Sequence, residues 1–162
     1  MDFKLVPETD PVLKRVAEEW DYDNPPMDAT VLVEGMFRLM KTSDGVGIAA
    51  PQIGVSAKVF VVEIGGIKEE YFNPEIVRFG TDLEKIEEGC LSFPGLLLPV
   101  ERPTSVTIRF QNRHGTMVEQ DYSGRWARCV QHETDHCNGV TMANKVSRLV
   151  LGMAKKKRAK RN

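Results

Sequence analysis

Apolar residues in "ATVLVEGMFRLMKTSDG" recur at a spacing near 3.6, which predicts an amphipathic helix running from residue 29 toward Gly45. Ahead of it, "DPVLKRVAEEW" offers Asp10 as an N-cap and Pro11 at the first helical position, so a helix is expected there too. The pattern then changes period. "KVFVVEI" is a run of buried-strand character ended by Gly65 and Gly66. "SVTIRF" alternates Val106, Ile108 and Phe110, passes through the turn-like "NRHG", and predicts a return strand around "TMVEQDY". "GRWARCVQHETDHCNG" goes back to helical spacing and stops at Gly139, a residue suited to a helix C-terminus. In "NKVSRLVLGMAKKKRAKRN", Val146, Leu149, Val150 and Met153 stand at i, i+3, i+4 and i+7, so a last helix is expected to dock that face while its basic end projects. The order is α+β, with no internal repeat and no linker, and predicts a single domain over residues 1–162 with a basic C-terminal helix or tail over 144–162.

Charge sharpens the picture of that tail. The net charge is only −1, yet residues 137–162 carry eight Lys or Arg and no Asp or Glu, so a positive end follows an acidic body. With 162 residues and 41% hydrophobic content, the chain can bury a core without disulfide support. Its three cysteines are an odd count for a disulfide framework and favour a reducing compartment. The N-terminus lacks a charged segment followed by an apolar run, and no stretch reaches the ~18 apolar residues of a membrane span, so a cytoplasmic protein is expected.

The chemistry concentrates in "QHETDHCNG", residues 131–139. His132 and His136 are four apart and share one helix face, so both can hold one metal ion. The apolar stripe of this helix runs through Trp126, Cys129, Val130, Cys137 and Val140, and Glu133 falls on it. A carboxylate there is costly to bury, and burial raises its pKa toward the range useful to a general base. A hydrolytic metal site generally takes three protein ligands and keeps a position open. No Asp, Glu or His follows His136, so a third ligand has to come from upstream, with Cys90, His114, the helix cysteines Cys129 and Cys137, and many carboxylates as candidates. A second unusual segment, "DGVGIAAPQIG", has few side chains and free backbone groups, which suits either close packing or an added peptide strand.

Taken together, "GVGIAAPQ" (45–52), "EGCLS" (88–92) and "QHETDHCNG" resemble, in order, the three motifs of the peptide deformylase family, and the likeness runs from about "DPVLKRVA" to "NKVSRL". The resemblance implies mixed and antiparallel sheets packed around a central metal-bearing helix, with a C-terminal helix. It implies that Cys90, His132 and His136 hold one divalent ion, ferrous iron natively, with zinc, nickel or cobalt able to substitute. Glu133 would move the proton, and the Gln52 amide with the backbone N–H of Leu91 would face the oxyanion. Val46 and Gly47 would carry the peptide as an added strand, Ile48 and Cys129 would line a methionine pocket, and Glu88 with Arg102 would form a supporting ion pair. The implied reaction removes the formyl group from N-formylmethionyl nascent peptides and releases formate. The expected enzyme is a cytoplasmic monomer whose basic tail meets the ribosome surface. Ile48 and Cys137 stand where leucine is usual, and Trp126 is bulkier than the usual aliphatic residue.

Overall fold

The computed structural model describes residues 1–161. Helix α1 (Ala29–Thr42) starts where Asp28 accepts a hydrogen bond from the Val31 N–H at 2.9 Å, and it buries Leu32, Val33, Met36, Phe37 and Met40. The first predicted helix is shorter than its pattern. Asp10 caps a single 3₁₀ turn over Pro11–Lys14, after which Arg15 is already extended. The chain is needed elsewhere: the Ala17 N–H reaches the Cys137 carbonyl at the end of the helix that carries His132 and His136, and Glu18 bridges Ala57.

After α1 come β1 (Gly47–Ala49), a 3₁₀ turn Ala50–Ile53, β2 (Val59–Ile64), β3 (Ile67–Phe79), β4 (Leu83–Cys90), β5 (Phe93–Pro103), β6 (Ser105–Gln111) and β7 (Met117–Ser123). Five strands form one sheet in the order β1-β2-β3-β6-β7, antiparallel throughout, while β4 and β5 pair only with each other as a ribbon. Helix α2 (Gly124–Cys137) lies between sheet and ribbon, packing on β1, β2, β3 and β6 as well as β5. Its Ala127, Val130 and Cys137 join Phe60, Tyr71 and Ile108 in the core behind the helix. Gly139 closes it with φ 73°, and a Cβ there would stand 2.7 Å from the Arg15 backbone, so only glycine lets the N-terminal segment pass so close.

Helix α3 (Arg148–Arg161) is present, but on a different face from the one expected. The Ser147 hydroxyl accepts from the Val150 N–H, and the helix docks through Leu151 and Ala154, beside Val146, onto Phe93, Leu96 and Met142. Leu149 and Met153 are 73% and 62% exposed, so the predicted stripe points largely outward. Arg158 reaches Glu8 at 3.0 Å, which pins the basic end to the N-terminal segment instead of freeing it. None of the described helices is long and apolar enough to cross a membrane.

Candidate active site

One turn of α2 sets the geometry. His132, Glu133 and His136 occupy consecutive and i+4 positions, and all three are buried, at 9%, 5% and 0% exposure. Cys90 arrives from the other side, at the end of β4, where the pairing register shifts between Glu88 and Cys90. Beside that irregularity the thiol reaches the helix while Cys90 still packs against the apolar cluster of the ribbon. Its Sγ lies 3.3 Å from His136 Nε2, and one donor atom from each of Cys90, His132 and His136 falls within 4.8 Å of the others. A tetrahedral ion with ordinary metal–sulfur and metal–nitrogen distances separates S from N by about 3.5 Å, so these side chains fit one ion. His114, in contrast, is exposed in the β6–β7 turn, and Cys137 is buried in the core.

The ring of His132 is oriented through its other nitrogen. Nδ1 stands 2.9 Å from Glu88 Oε1, which leaves Nε2 for the ligand cluster. Arg102 grips Glu88 with two bonds, Nε at 2.6 Å and Nη2 at 3.0 Å, and extends Nη1 to Asp135 at 2.9 Å. The expected ion pair is therefore part of a buried network that ends on a metal-ligand candidate. Burial pushes the Glu88 carboxyl up, but the hydrogen bonds from His132 and Arg102 outweigh it and hold the group down at about 2. No comparable second anchor fixes His136, whose buried Nδ1 has no partner among the described residues.

Glu133 is the reverse case. Burial pushes its carboxyl up to about 7, against the pull of His132 and Arg102, and its Oε2 is buried with no hydrogen-bond partner among the described residues. Gly47 makes room for it: a Cβ on Gly47 would lie 2.9 Å from Glu133 Oε1. Gln52 is likewise buried, its Oε1 accepting from the Ala49 N–H at 2.8 Å, which directs Nε2 to the Ser92 hydroxyl at 3.0 Å and toward Cys90 Sγ at 3.7 Å. Leu91 packs across Gly45, whose missing Cβ would collide with it at 2.7 Å.

A cleft of about 970 Å³ opens between the edge strand β1 and the ribbon, reaching His132, Glu133 and Cys90. Val46, Gly47, Leu91 and Cys129 line it. Ile48 does not: alternation along β1 turns it away from the cleft into the core with Leu32 and Met36, where it is fully buried. Burial pushes the Cys129 thiol up to about 12, so it serves as an uncharged wall. Sequence reading passed over Ile86, Ser92, Arg128 and Asp135, since a lone isoleucine, serine, arginine or aspartate carries no spacing signal.

Known proteins share this fold. The family model described as Polypeptide deformylase matches residues 3–151. The chain is 40% identical over 138 residues to peptide deformylase of Thermotoga petrophila, covering 85% of this chain and 83% of the relative. It is 37% identical over 160 residues to that of Fusobacterium nucleatum subsp. nucleatum, covering 98% and 92%. Among solved structures, a peptide deformylase from Synechococcus elongatus in complex with actinonin superposes with a TM-score of 0.90 at 34% identity, covering 97% of this chain and 88% of the other. The enzyme from Thermotoga maritima gives 0.85 at 36% identity, covering 91% and 99%. With a family match over nearly the whole chain and the same overall fold in solved members, the chain belongs to the polypeptide deformylase family, enzymes that remove the formyl group from N-terminal formylmethionine.

Proposed function

We propose that the cleft between β1 and the ribbon binds an N-formylmethionyl peptide, and that Cys90, His132, His136, Glu133, Gln52 and Leu91 carry its hydrolysis. The observation that supports this most is an unpartnered, buried Glu133 beside three converging ligand side chains at the end of an open cleft. When bound, a divalent ion supplies Lewis-acid polarisation and makes water nucleophilic at neutral pH. Cys90, His132 and His136 would hold it. Ferrous iron is the proposed native ion, with zinc, nickel or cobalt as substitutes, because thiolate and imidazole suit all of them.

The chain's own groups then divide the work. Val46 and Gly47 offer edge-strand backbone to the peptide, and Cys129 walls the first side chain. Glu133 takes the proton of the attacking water as a C–O bond forms at the formyl carbon. It then delivers that proton to the departing amine as the C–N bond breaks, giving formate and a free N-terminus. Gln52 Nε2 and the Leu91 N–H donate to the formyl oxygen as charge builds there, a contribution of ~3 kcal/mol per donor in comparable sites. Formate release from formyl-Met-Ala-Ser by anaerobically purified protein, with metal analysis of the same sample, tests the assignment. Turnover without bound metal, or a one-to-one metal complex with no turnover, would overturn it.

We further propose a cytoplasmic monomer that works beside the ribosome, where N-formylmethionyl chains emerge. The outward face of α3 carries Leu149 and Met153 and continues into Lys156 and Lys160, a cationic surface suited to salt-sensitive phosphate contacts.

A further inference from the structure

Arg128 lines the cleft next to Cys129, where an apolar side chain is to be accommodated. An arginine is an odd wall for such a pocket unless its charge is spent elsewhere, and here it is. Nη1 donates to Glu88 Oε2 at 2.5 Å and to the Val100 carbonyl at 3.0 Å, and Nη2 donates to the Glu84 carbonyl at 2.7 Å. The guanidinium thus binds α2 to both strands of the ribbon and leaves the methylene stem as the surface toward the cleft.

The bond to Glu88 has a further consequence. Each Glu88 oxygen receives two donors: Oε1 takes His132 Nδ1 and Arg102 Nη2, while Oε2 takes Arg102 Nε and Arg128 Nη1. Arg128 and His132 stand at i and i+4 on α2 and hold opposite oxygens of one carboxylate, so they add to the two-point grip of Arg102 in fixing its rotation. Without Arg128, Oε2 keeps only the Arg102 Nε bond in a residue only 6% exposed, and the hold on the carboxylate beside His132 is loosened.

We propose that Arg128 is a positioning residue for the metal centre: through Glu88 it holds the His132 ring in its ligating orientation, while its stem walls the cleft. The proposal rests on Cys90, His132 and His136 being the ligands. Outer partners of metal-bound histidines typically change metal affinity by ~10–100-fold, and Arg128 acts one bond further out, so about 10-fold is expected.

The test uses cobalt-loaded protein, following the visible cobalt spectrum and the rate of metal release into excess chelator, for the parent, Arg128→Leu and Arg128→Lys. Leucine keeps an apolar wall and removes every bond, whereas lysine keeps the charge but cannot serve the carboxylate and both carbonyls together. Faster release by about 10-fold and an altered cobalt spectrum are expected for Arg128→Leu, with Arg128→Lys between it and the parent. A fall in kcat for formyl-Met-Ala-Ser with KM held would accompany them. Unchanged release and spectrum in Arg128→Leu, including the case where only KM moves, overturn the proposal. Should Arg128→Leu fail to fold, Arg128→Lys decides alone, and parent-like release and spectrum in it are the overturning result. A parent that takes up no stoichiometric cobalt instead refutes the ligand assignment, so the two failures are distinguishable.

Discussion

Gly47→Ala isolates the placement of the proton-transfer group without touching it. The new methyl would lie 2.9 Å from Glu133 Oε1 and 3.1 Å from its Cγ, where ordinary contact begins at 3.4 Å, so the carboxylate has to retreat by about 0.5 Å. Gly47 does not have a left-handed φ, so alanine meets no backbone strain and the fold should hold. Misplacing a reacting group by about 1 Å costs ~10²-fold, so half that shift predicts a kcat lower by roughly 10-fold with all three metal ligands intact. The assay is steady-state formate release with metal content measured on the same samples. A cycle with Glu133→Gln separates a direct effect on the peptide strand from one acting through the carboxylate. If Gly47→Ala works through Glu133, it adds almost nothing once Glu133 is glutamine. Undiminished kcat at full metal content, or a penalty that adds fully to that of Glu133→Gln, refutes the reasoning.

Cys90→Ser is expected to lose bound metal and activity together, while Cys129→Ser, altering a pocket wall, keeps its metal; elemental analysis of both distinguishes a ligand from a lining residue. Glu133→Gln should retain metal and lose ~10²–10⁴-fold in turnover, the range for removing a general acid–base group, and near-normal turnover would remove Glu133 from the mechanism. Glu88 is held at about 2 against an ordinary 4.5, so its ionised form favours the fold above pH 4.5, and that stability is lost as pH falls from 4.5 through 2. Denaturant unfolding of metal-free protein should show the parent losing about 3 kcal/mol more than Glu88→Gln across this window, and parallel declines would contradict the shift. Deleting residues 155–162 should leave small-peptide turnover nearly unchanged and weaken co-sedimentation with ribosomes, with a shallower salt dependence; equal binding by both forms at every salt concentration would reduce the tail to a solubilising end.

Much of this was legible in the sequence, for identifiable reasons. The helices α1 and α2, the strands β2 and β6, and the burial of Glu133 follow from period alone, because each element hides one face and exposes the other. The ribbon was not legible as a pair. β4 reads "LEKIEEGC", and its outer residues are mostly exposed and charged, so no alternation marks it. β3 is interrupted by Asn73 with φ 51° and by Pro74, which break both the register and the pattern. The face of α3 was misread because the helix begins only at Arg148, and docking by Leu151 and Ala154, with Arg158 held by Glu8, outweighs the larger apolar residues at 149 and 153. In the site, spacing indicated the two histidines. Cys90 became assignable only through the family motif, since nothing in the sequence marks the register shift beside it. Ile48 was misplaced because strand alternation over three residues is too short to read from one chain.

The ribbon shares no strand ladder with the main sheet, and two of the three ligand candidates lie on α2 while the third ends β4. An ion bridging them would add a cross-link to the side-chain bonds of Arg102 and Arg128 that already join α2 to the ribbon, closing a chain loop from residue 90 to residue 132. Its binding free energy falls mainly on the local opening of the ribbon, and less on the unfolding of the sheet behind it. Stripping the metal would leave a folded body with a loosened flap, in which ribbon amides exchange with solvent well before those of β2, β3 and β6.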